Sequence, residues 1–444
     1  MEKILIIFQT PKKMELYVNT LPPLGMLGIA SFLESRGIPT DVVDCYVQKL
    51  DVNFAEYDVI CFAVNISNLQ NTLDTIKLIK EQYPNKKIVV GGPQTLGKGQ
   101  FYINQKDIDA VIIGEGEFTL YEYLTIPDKT KVAGLLIRDA NGKPFYTGNR
   151  KLTFNLDIFP FPALDKVPLK KYNMPVKQAH PISSIVTSRG CPSKCIFCFH
   201  STVWRQASAE HVIDEIEWQV NELGVREICI NDDNFTLNRQ RAWDVCEGII
   251  KRNIDVHIQL KNGIRVDKVD RELLEKLKEA GVWLVAVAPE TGSLETLEKI
   301  KKEFTLDRVK QVVGWCKELD LTTYALFMIG FPWETKQHVE QTIKFANELD
   351  TDFCQFTRVY PMENTPLYNM MNLRPINEFG EDGFQHGTTK YSGMKLKEDE
   401  VAELIKRAFR SVYFKPKRAL RILKNLSLTD IYYLAKYARI SSSM

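Results

Sequence analysis

Thr187-Ser-Arg-Gly190-Cys191-Pro192-Ser-Lys-Cys195-Ile-Phe197-Cys198 gathers three of the chain's nine cysteines into one short segment. Gly190 and Pro192 punctuate that segment as a loop. Three thiolates occupy three irons of a cubane cluster and leave the fourth iron without a protein ligand. A small molecule carrying an amine and a carboxylate chelates an iron left open in this way. The alternative is a structural zinc site in which Cys191, Cys195, Cys198 and His200 supply four ligands. Zinc ligands usually come as two separated pairs, and no second pair stands elsewhere in the sequence. The other six cysteines, Cys45, Cys61, Cys229, Cys246, Cys316 and Cys354, are scattered among apolar residues and read as small core hydrophobes. Nine cysteines are too few for a disulfide scaffold in a chain of 444 residues, and reduced thiols are expected.

Outward from the loop, short apolar runs alternate with helical stretches. Strands are expected near 184–188, 227–231, 257–261, 284–288, 324–329 and 353–359, with helices over 209–223, 239–251, 271–280 and 306–318. Six such units predict a partial (β/α)6 barrel, with the cysteine loop directly after its first strand. Upstream, strands at 3–8, 40–44, 59–64, 87–91 and 110–113 alternate with helices at 24–35 and 69–82. Those helices stop at Gly37 and Pro84, as a doubly wound Rossmann-like sheet requires. Recurrent prolines at 160, 162, 168, 175 and 181 predict a linker. The fold class is thus α/β. Its expected parts are a Rossmann-like domain over 1–145, a linker over 146–182, a barrel over 183–366 and a mostly helical region over 367–444.

Composition bounds the setting. With 44% hydrophobic residues the chain buries a large core, and 58 basic against 56 acidic residues give no global attraction to nucleic acid. Apolar runs fall well short of the roughly 18 residues of a membrane span. Met-Glu-Lys leads straight into a strand without the sections of a secretion signal, so a cytoplasmic location is expected.

The Cys-x3-Cys-x2-Cys spacing, with Phe197 before the last cysteine, resembles the cluster loop of the radical S-adenosylmethionine (SAM) superfamily. The resemblance implies a [4Fe–4S] cluster held by Cys191, Cys195 and Cys198, with SAM on the open iron. Asn231-Asp232-Asp233-Asn234-Phe235 resembles the segment that contacts the SAM amino group, which brings in Asp232 and Asp233, although both also suit a strand end and helix cap. Ala288-Pro-Glu290-Thr-Gly-Ser293 resembles the segment whose glutamate bonds the SAM ribose, and includes Ser293. Arg265 is placed to pair with the SAM carboxylate, or equally to form a surface ion pair. Met328-Ile-Gly330-Phe-Pro332 and Val359-Tyr-Pro361 match the segments that pass near adenine, more loosely.

Upstream, Asn19-Thr-Leu-Pro-Pro-Leu-Gly25, Gly91-Gly92-Pro93 and Gly114-Glu115-Gly116-Glu117 lie at expected strand ends, where a doubly wound sheet opens its ligand crevice. Ahead of such a barrel they resemble the cobalamin-binding domain of B12-dependent radical SAM enzymes of the class B methyltransferase type. Asn65, Ser67 and Asn68 are candidates for the lower face of the corrin, with helix capping as the plainer reading. The first histidine is His180, so this domain offers cobalt no imidazole. A nicotinamide fingerprint is missing after the first strand.

Together the resemblances imply transfer of a methyl group from SAM, via methylcobalamin, to an unactivated carbon or phosphorus centre, using a 5′-deoxyadenosyl radical. The implied partners are a small molecule or peptide side chain as substrate, and an external one-electron reductant such as flavodoxin or ferredoxin. The alternatives are a B12-dependent cyclase or rearrangement enzyme without methyl transfer, and a non-catalytic scaffold binding SAM and the cluster. Tyr172, Glu334 and Tyr391 are candidates for the barrel mouth. Lys406, Arg407, Arg410, Lys415, Lys417, Arg418, Arg421 and Lys424, with no acid among them, read as a solvated face or as a dock for anions.

Overall fold

The computed structural model describes residues 2–11, 20–65, 67–174, 176–199, 202–362, 364–371, 394–416, 418 and 421. Asn19, His200, Tyr391, Lys417, Lys424 and most of the region after 371 lie outside the described residues. The chain divides into two compact units, the first running to Asn173 and the second starting at Met174.

In the first unit the order is β1 (Ile4–Phe8), α1 (Leu24–Glu34), β2 (Thr40–Asp44), β3 (Val59–Ala63), α2 (Leu69–Gln82), β4 (Lys87–Gly91), α3 (Thr95–Ile103), β5 (Ala110–Ile112), α4 (Gly116–Thr125), β6 (Leu135–Arg138) and β7 (Pro144–Tyr146). The sheet order is β2-β1-β3-β4-β5-β6-β7. The first five strands run parallel, and β6 and β7 add an antiparallel edge that periodicity did not reveal. The strands read as unbroken apolar runs because both sheet faces are covered. Leu5, Ile7, Ile60, Phe62, Ile88 and Val90 pack with Ile76, Ile79 and Tyr102 from the helices. Chain order reverses between β1 and β3, and the ends of β3, β4 and β5 border the crevice where such sheets bind ligands.

The expected linker does not behave as one up to Asn173. Its prolines exclude long elements, but the apolar residues between them still gain by burial. Leu156, Leu164, Leu169 and Tyr172 are buried, the Tyr172 hydroxyl donates to Asp44 at 2.7 Å, and Thr20 pairs with Asn173. Tyr172 is therefore a strut of the first unit.

The second unit contains β8 (Ile182–Ile185), β9 (Ser188–Arg189), β10 (Arg205–Gln206), α5 (Ala209–Asn221), β11 (Glu227–Ile230), α6 (Arg239–Lys251), β12 (His257–Ile264), α7 (Arg271–Glu279), β13 (Val282–Glu290), α8 (Leu294–Lys299), α9 (Leu306–Glu318), β14 (Thr322–Ile329), α10 (Lys336–Leu349), β15 (Phe353–Arg358), α11 (Pro366–Met370) and α12 (Glu398–Tyr413). Six parallel strands follow in the order β8-β11-β12-β13-β14-β15, the partial barrel expected. The first strand starts and ends earlier than expected. Ser188 and Arg189 instead pair antiparallel with Gln206 and Arg205, tying together the two ends of the cysteine segment.

Among the described residues of the basic C-terminal series, three guanidiniums are ion-paired. Arg418 is only 1% exposed and reaches Asp350 at 2.9 Å, while Arg421 pairs with Asp352 at 2.6 Å and Arg407 with Glu340 at 2.6 Å. Acids from α10 and the turn that follows it draw in these guanidiniums, which spacing within the basic segment alone does not predict. No described helix is long and apolar enough to cross a membrane.

Candidate active site

The cysteine loop is anchored at its ends and at its middle. Asp232, just past β11, is buried and accepts from the Thr187 amide and hydroxyl, both at 2.5 Å, and from the Ser188 hydroxyl at 2.6 Å. Arg241 of α6 donates to the carbonyls of Thr187 and Ala207, each at 2.7 Å. Gly190 then takes a φ of +83°, a left-handed turn that a residue with a Cβ adopts at a cost, and Cys191 follows. At the middle, the Ile196 amide donates to Ile300 at 3.3 Å and its carbonyl accepts from Leu367 at 2.9 Å. Ile196 packs with Ile300, Phe331, Val359 and Leu367, and Phe197 meets Phe331 edge-on. The apolar residues between the cysteines thus hold the loop down, while the sulfurs range from buried Cys191 to exposed Cys198.

Two residues expected to touch SAM have other work. Asp232 spends its carboxylate on the loop, while Asp233 is exposed. Arg265 is held by Asp267 at 2.8 and 3.0 Å and lies 3.6 Å from Glu303, while it also donates to the Ser193 hydroxyl inside the loop. It braces the cysteine loop, because nearby acids have already paired its guanidinium.

Glu290 ends β13 with a φ of +66°, a strained backbone of the kind that collects at functional sites. Its carboxylate lies 3.0 Å from Lys302, and both side chains are largely buried. Burial works against the Lys302 ammonium, but Glu290 and the sulfurs of Cys195 and Cys198 more than offset it and hold its pKa above the ordinary lysine range. Burial raises the Cys195 thiol, with Lys302 opposing. Ser293 caps α8, its hydroxyl accepting from the Thr296 amide at 3.4 Å. Glu334 is also structural: its buried carboxylate accepts from the amides of Gly330 at 2.8 Å and Phe331 at 3.0 Å.

The donor set fits a cluster. Cys191, Cys195 and Cys198 lie close enough for each of the other two to act electrostatically on Cys195, and Lys302 adds a compensating cation. Among the described residues, no three Cys, His, Asp or Glu side chains are arranged as a single metal ion needs. Lys302, Asp267 and Ser193 were not found by sequence reasoning. No motif marks them, and only the fold brings Lys302 back past α8 to the sulfurs.

In the first unit, the residues expected beneath a corrin are largely occupied. The Asn65 side chain accepts from the Ser67 amide at 3.0 Å, the Ser67 hydroxyl at 2.8 Å and the Asn68 amide at 3.1 Å. The Asn68 side chain accepts from the Asn65 amide at 2.9 Å and donates to Ala63 at 3.0 Å. These asparagines close the β3–α2 loop on itself, and Asn68 stands at the N-cap of α2 without a side-chain capping bond. Two glycines serve the protein's own packing: a Cβ at Gly92 would meet the Val64 carbonyl at 2.5 Å, and one at Gly116 would meet Ile29 at 2.6 Å. Gly114 differs. Its φ is +92° and a Cβ there would meet nothing within 4 Å, so this turn borders open space. Gly91 ends β4, and Glu115 stands at the N-cap of α4 beside that turn.

The chain matches the family model for the radical SAM superfamily over residues 185–346 and that for the B12 binding domain over residues 16–124. An uncharacterized methyltransferase of Pyrococcus horikoshii is 31% identical over 437 residues, covering 94% of this chain and 93% of that protein. The anaerobic magnesium-protoporphyrin IX monomethyl ester cyclase of Cereibacter sphaeroides is 25% identical over 417 residues, covering 89% of this chain and 67% of that protein. Among solved structures, the radical SAM methyltransferase TsrM from Kitasatospora setae, with cobalamin and a [4Fe–4S] cluster bound, has the same fold. Its TM-score is 0.68 at 18% identity, covering 84% of this chain and 75% of that one.

Proposed function

The chain belongs to the cobalamin-binding radical SAM family, and from that premise we propose that it transfers a methyl group from SAM to an unactivated carbon or phosphorus centre of a small molecule or peptide side chain. Its cofactors are a [4Fe–4S] cluster, SAM and cobalamin. When bound, these groups supply the electron that splits SAM to a 5′-deoxyadenosyl radical and the carrier that passes on a methyl group. The residues of the chain bind, orient and shield. Cys191, Cys195 and Cys198 hold three irons, with Asp232, Arg241 and Arg265 fixing the loop that presents them. Lys302 keeps a positive charge beside two of the sulfurs, and Glu290 at its strand end would bond the ribose hydroxyls of SAM, with Asp233 taking its amino group. A low-potential donor of the flavodoxin or ferredoxin class supplies the electron.

One observation carries this reading: a three-cysteine loop, braced by buried side chains, at the mouth of a parallel barrel in a chain whose first unit matches a B12 binding domain. The test is anaerobic reconstitution with cobalamin, SAM and a strong reductant, with nucleoside products measured by mass spectrometry. Methyl transfer yields S-adenosylhomocysteine together with 5′-deoxyadenosine. The cyclase relative supports a second reading, ring formation, which yields 5′-deoxyadenosine alone. Neither product would leave only a binding scaffold.

A further inference from the structure

The inner face of the second-unit sheet carries an unpaired amine. On β14 the side chains alternate: Phe327 packs outward on Phe345 of α10, so Tyr324, Leu326 and Met328 face inward. Met328 packs with the apolar residues of the cysteine loop, so this inner face leads to the cluster site. Lys261 of β12 shares it, its Nζ lying 6.0 Å from the centre of the Tyr324 ring. Between those strands stands Ala286 of β13, in register with Tyr324. Gly263 follows on the Lys261 side, where a Cβ would come no closer than 3.8 Å to Ala286 or Ala288. Small residues thus leave room beside the amine.

Lys261 makes no hydrogen bond or ion pair to a described residue. The acid nearest to it in effect, Glu227 at the floor of the same face, is already satisfied. It accepts from the amides of Gln178 and Ala179 at 2.7 Å, from Trp283 at 3.1 Å and from Gln259. Burial lowers the Lys261 pKa, with Cys229 and Glu227 compensating only in part. A partly buried ammonium without a partner is costly, and an arriving anion repays that cost. Beside it, the Tyr324 hydroxyl donates to the Gln355 side-chain oxygen at 2.8 Å, which leaves the Gln355 amide nitrogen as a second donor.

We propose that Lys261, with Gln355 beside it, anchors an anionic group of the substrate, a carboxylate or phosphoryl oxygen, inside the barrel. The assignment rests on the methyltransferase reading of the same barrel and names the class of molecule it takes. The test uses the cofactor-loaded chain, with methylphosphonate and acetate as probes and ethylammonium as control, in titrations followed by NMR line broadening. Wild type binds at least one of the anions and not the cation. Preference for methylphosphonate assigns a phosphoryl group, and preference for acetate a carboxylate. Lys261→Met weakens that binding by about ten-fold or more, the usual loss of a charged hydrogen bond, while Lys261→Arg retains most of it. Lys261→Gln repeats the test should the methionine variant not fold. No anion binding by wild type, or equal binding after loss of the amine, overturns the proposal. S-adenosylhomocysteine formed without anion binding sinks the anchor alone. Anion binding in a chain that forms no S-adenosylhomocysteine sinks the methyltransferase reading instead.

Discussion

Lys302 joins three separate facts: a buried ammonium, a carboxylate at a strained strand end, and two thiols of the cysteine loop. A fixed cation stabilises added negative charge across a short low-dielectric gap. Lys302→Met should therefore shift the cluster midpoint to more negative potential, while Lys302→Arg stays near wild type. A redox titration followed by electron paramagnetic resonance reads that shift, and equal midpoints in all three proteins would remove Lys302 from the account. Asp232 makes a different prediction. Asp232→Ala strands three buried donors, each worth about 1–3 kcal/mol when unsatisfied, so thermal stability should fall and less iron should be retained on reconstitution. Wild-type iron content would show that the loop does not depend on this carboxylate. The cysteines were legible in the sequence because their spacing is itself the chemistry. The roles of Asp232, Arg265 and Ser293 were not, because a carboxylate, a guanidinium and a hydroxyl serve an internal hydrogen bond as readily as a ligand, and only the fold shows which partner is in reach.

Among the elements, strands and helices with clear punctuation were read to the residue: β2, β4, α2, α6 and α9 begin and end where the sequence places them. The misses have physical causes. β6 and β7 are short antiparallel strands at one end of the sheet, and 146–173 packs without regular repeats. α5 carries an unusual element-level signal, since burial raises the Glu215 carboxyl to about 8. Its unfolded value is near ~4.3. Between those pH values the folded chain keeps a proton that the unfolded chain releases, so this residue's contribution to stability falls as pH rises. Glu215→Gln should remove that slope and stabilise the chain at pH 8 by about 1–3 kcal/mol, which thermal melts across pH would detect. Unchanged melting at pH 8 would contradict it. The turn after α10 behaves oppositely. Burial works to raise the Asp350 carboxyl, but Arg421 and Arg418 overcome it and hold it below the ordinary range. The stabilisation is full above the unfolded value near ~3.9 and is lost as pH falls through the lower folded value. Hydrogen exchange in α12 should rise in that acid window, and Asp350→Asn should abolish the dependence.

For the whole molecule, two units bring two sets of chemistry into one chain: a crossed-over parallel sheet matching a B12 binding domain, and a six-stranded partial barrel with a loop of three thiols. Their broad architecture was legible because parallel sheets impose long apolar runs at regular intervals. The boundary was less so, as hydrophobic burial, not proline content, decides where a unit ends. All the assigned chemistry requires one iron of the cluster to remain accessible to SAM. The most direct measurement is electron paramagnetic resonance of the anaerobically reconstituted, reduced protein before and after addition of SAM. A changed cluster signal, absent in a Cys191→Ala variant that retains no cluster, is the predicted result. An identical signal from a fully loaded wild-type cluster with and without SAM would contradict it.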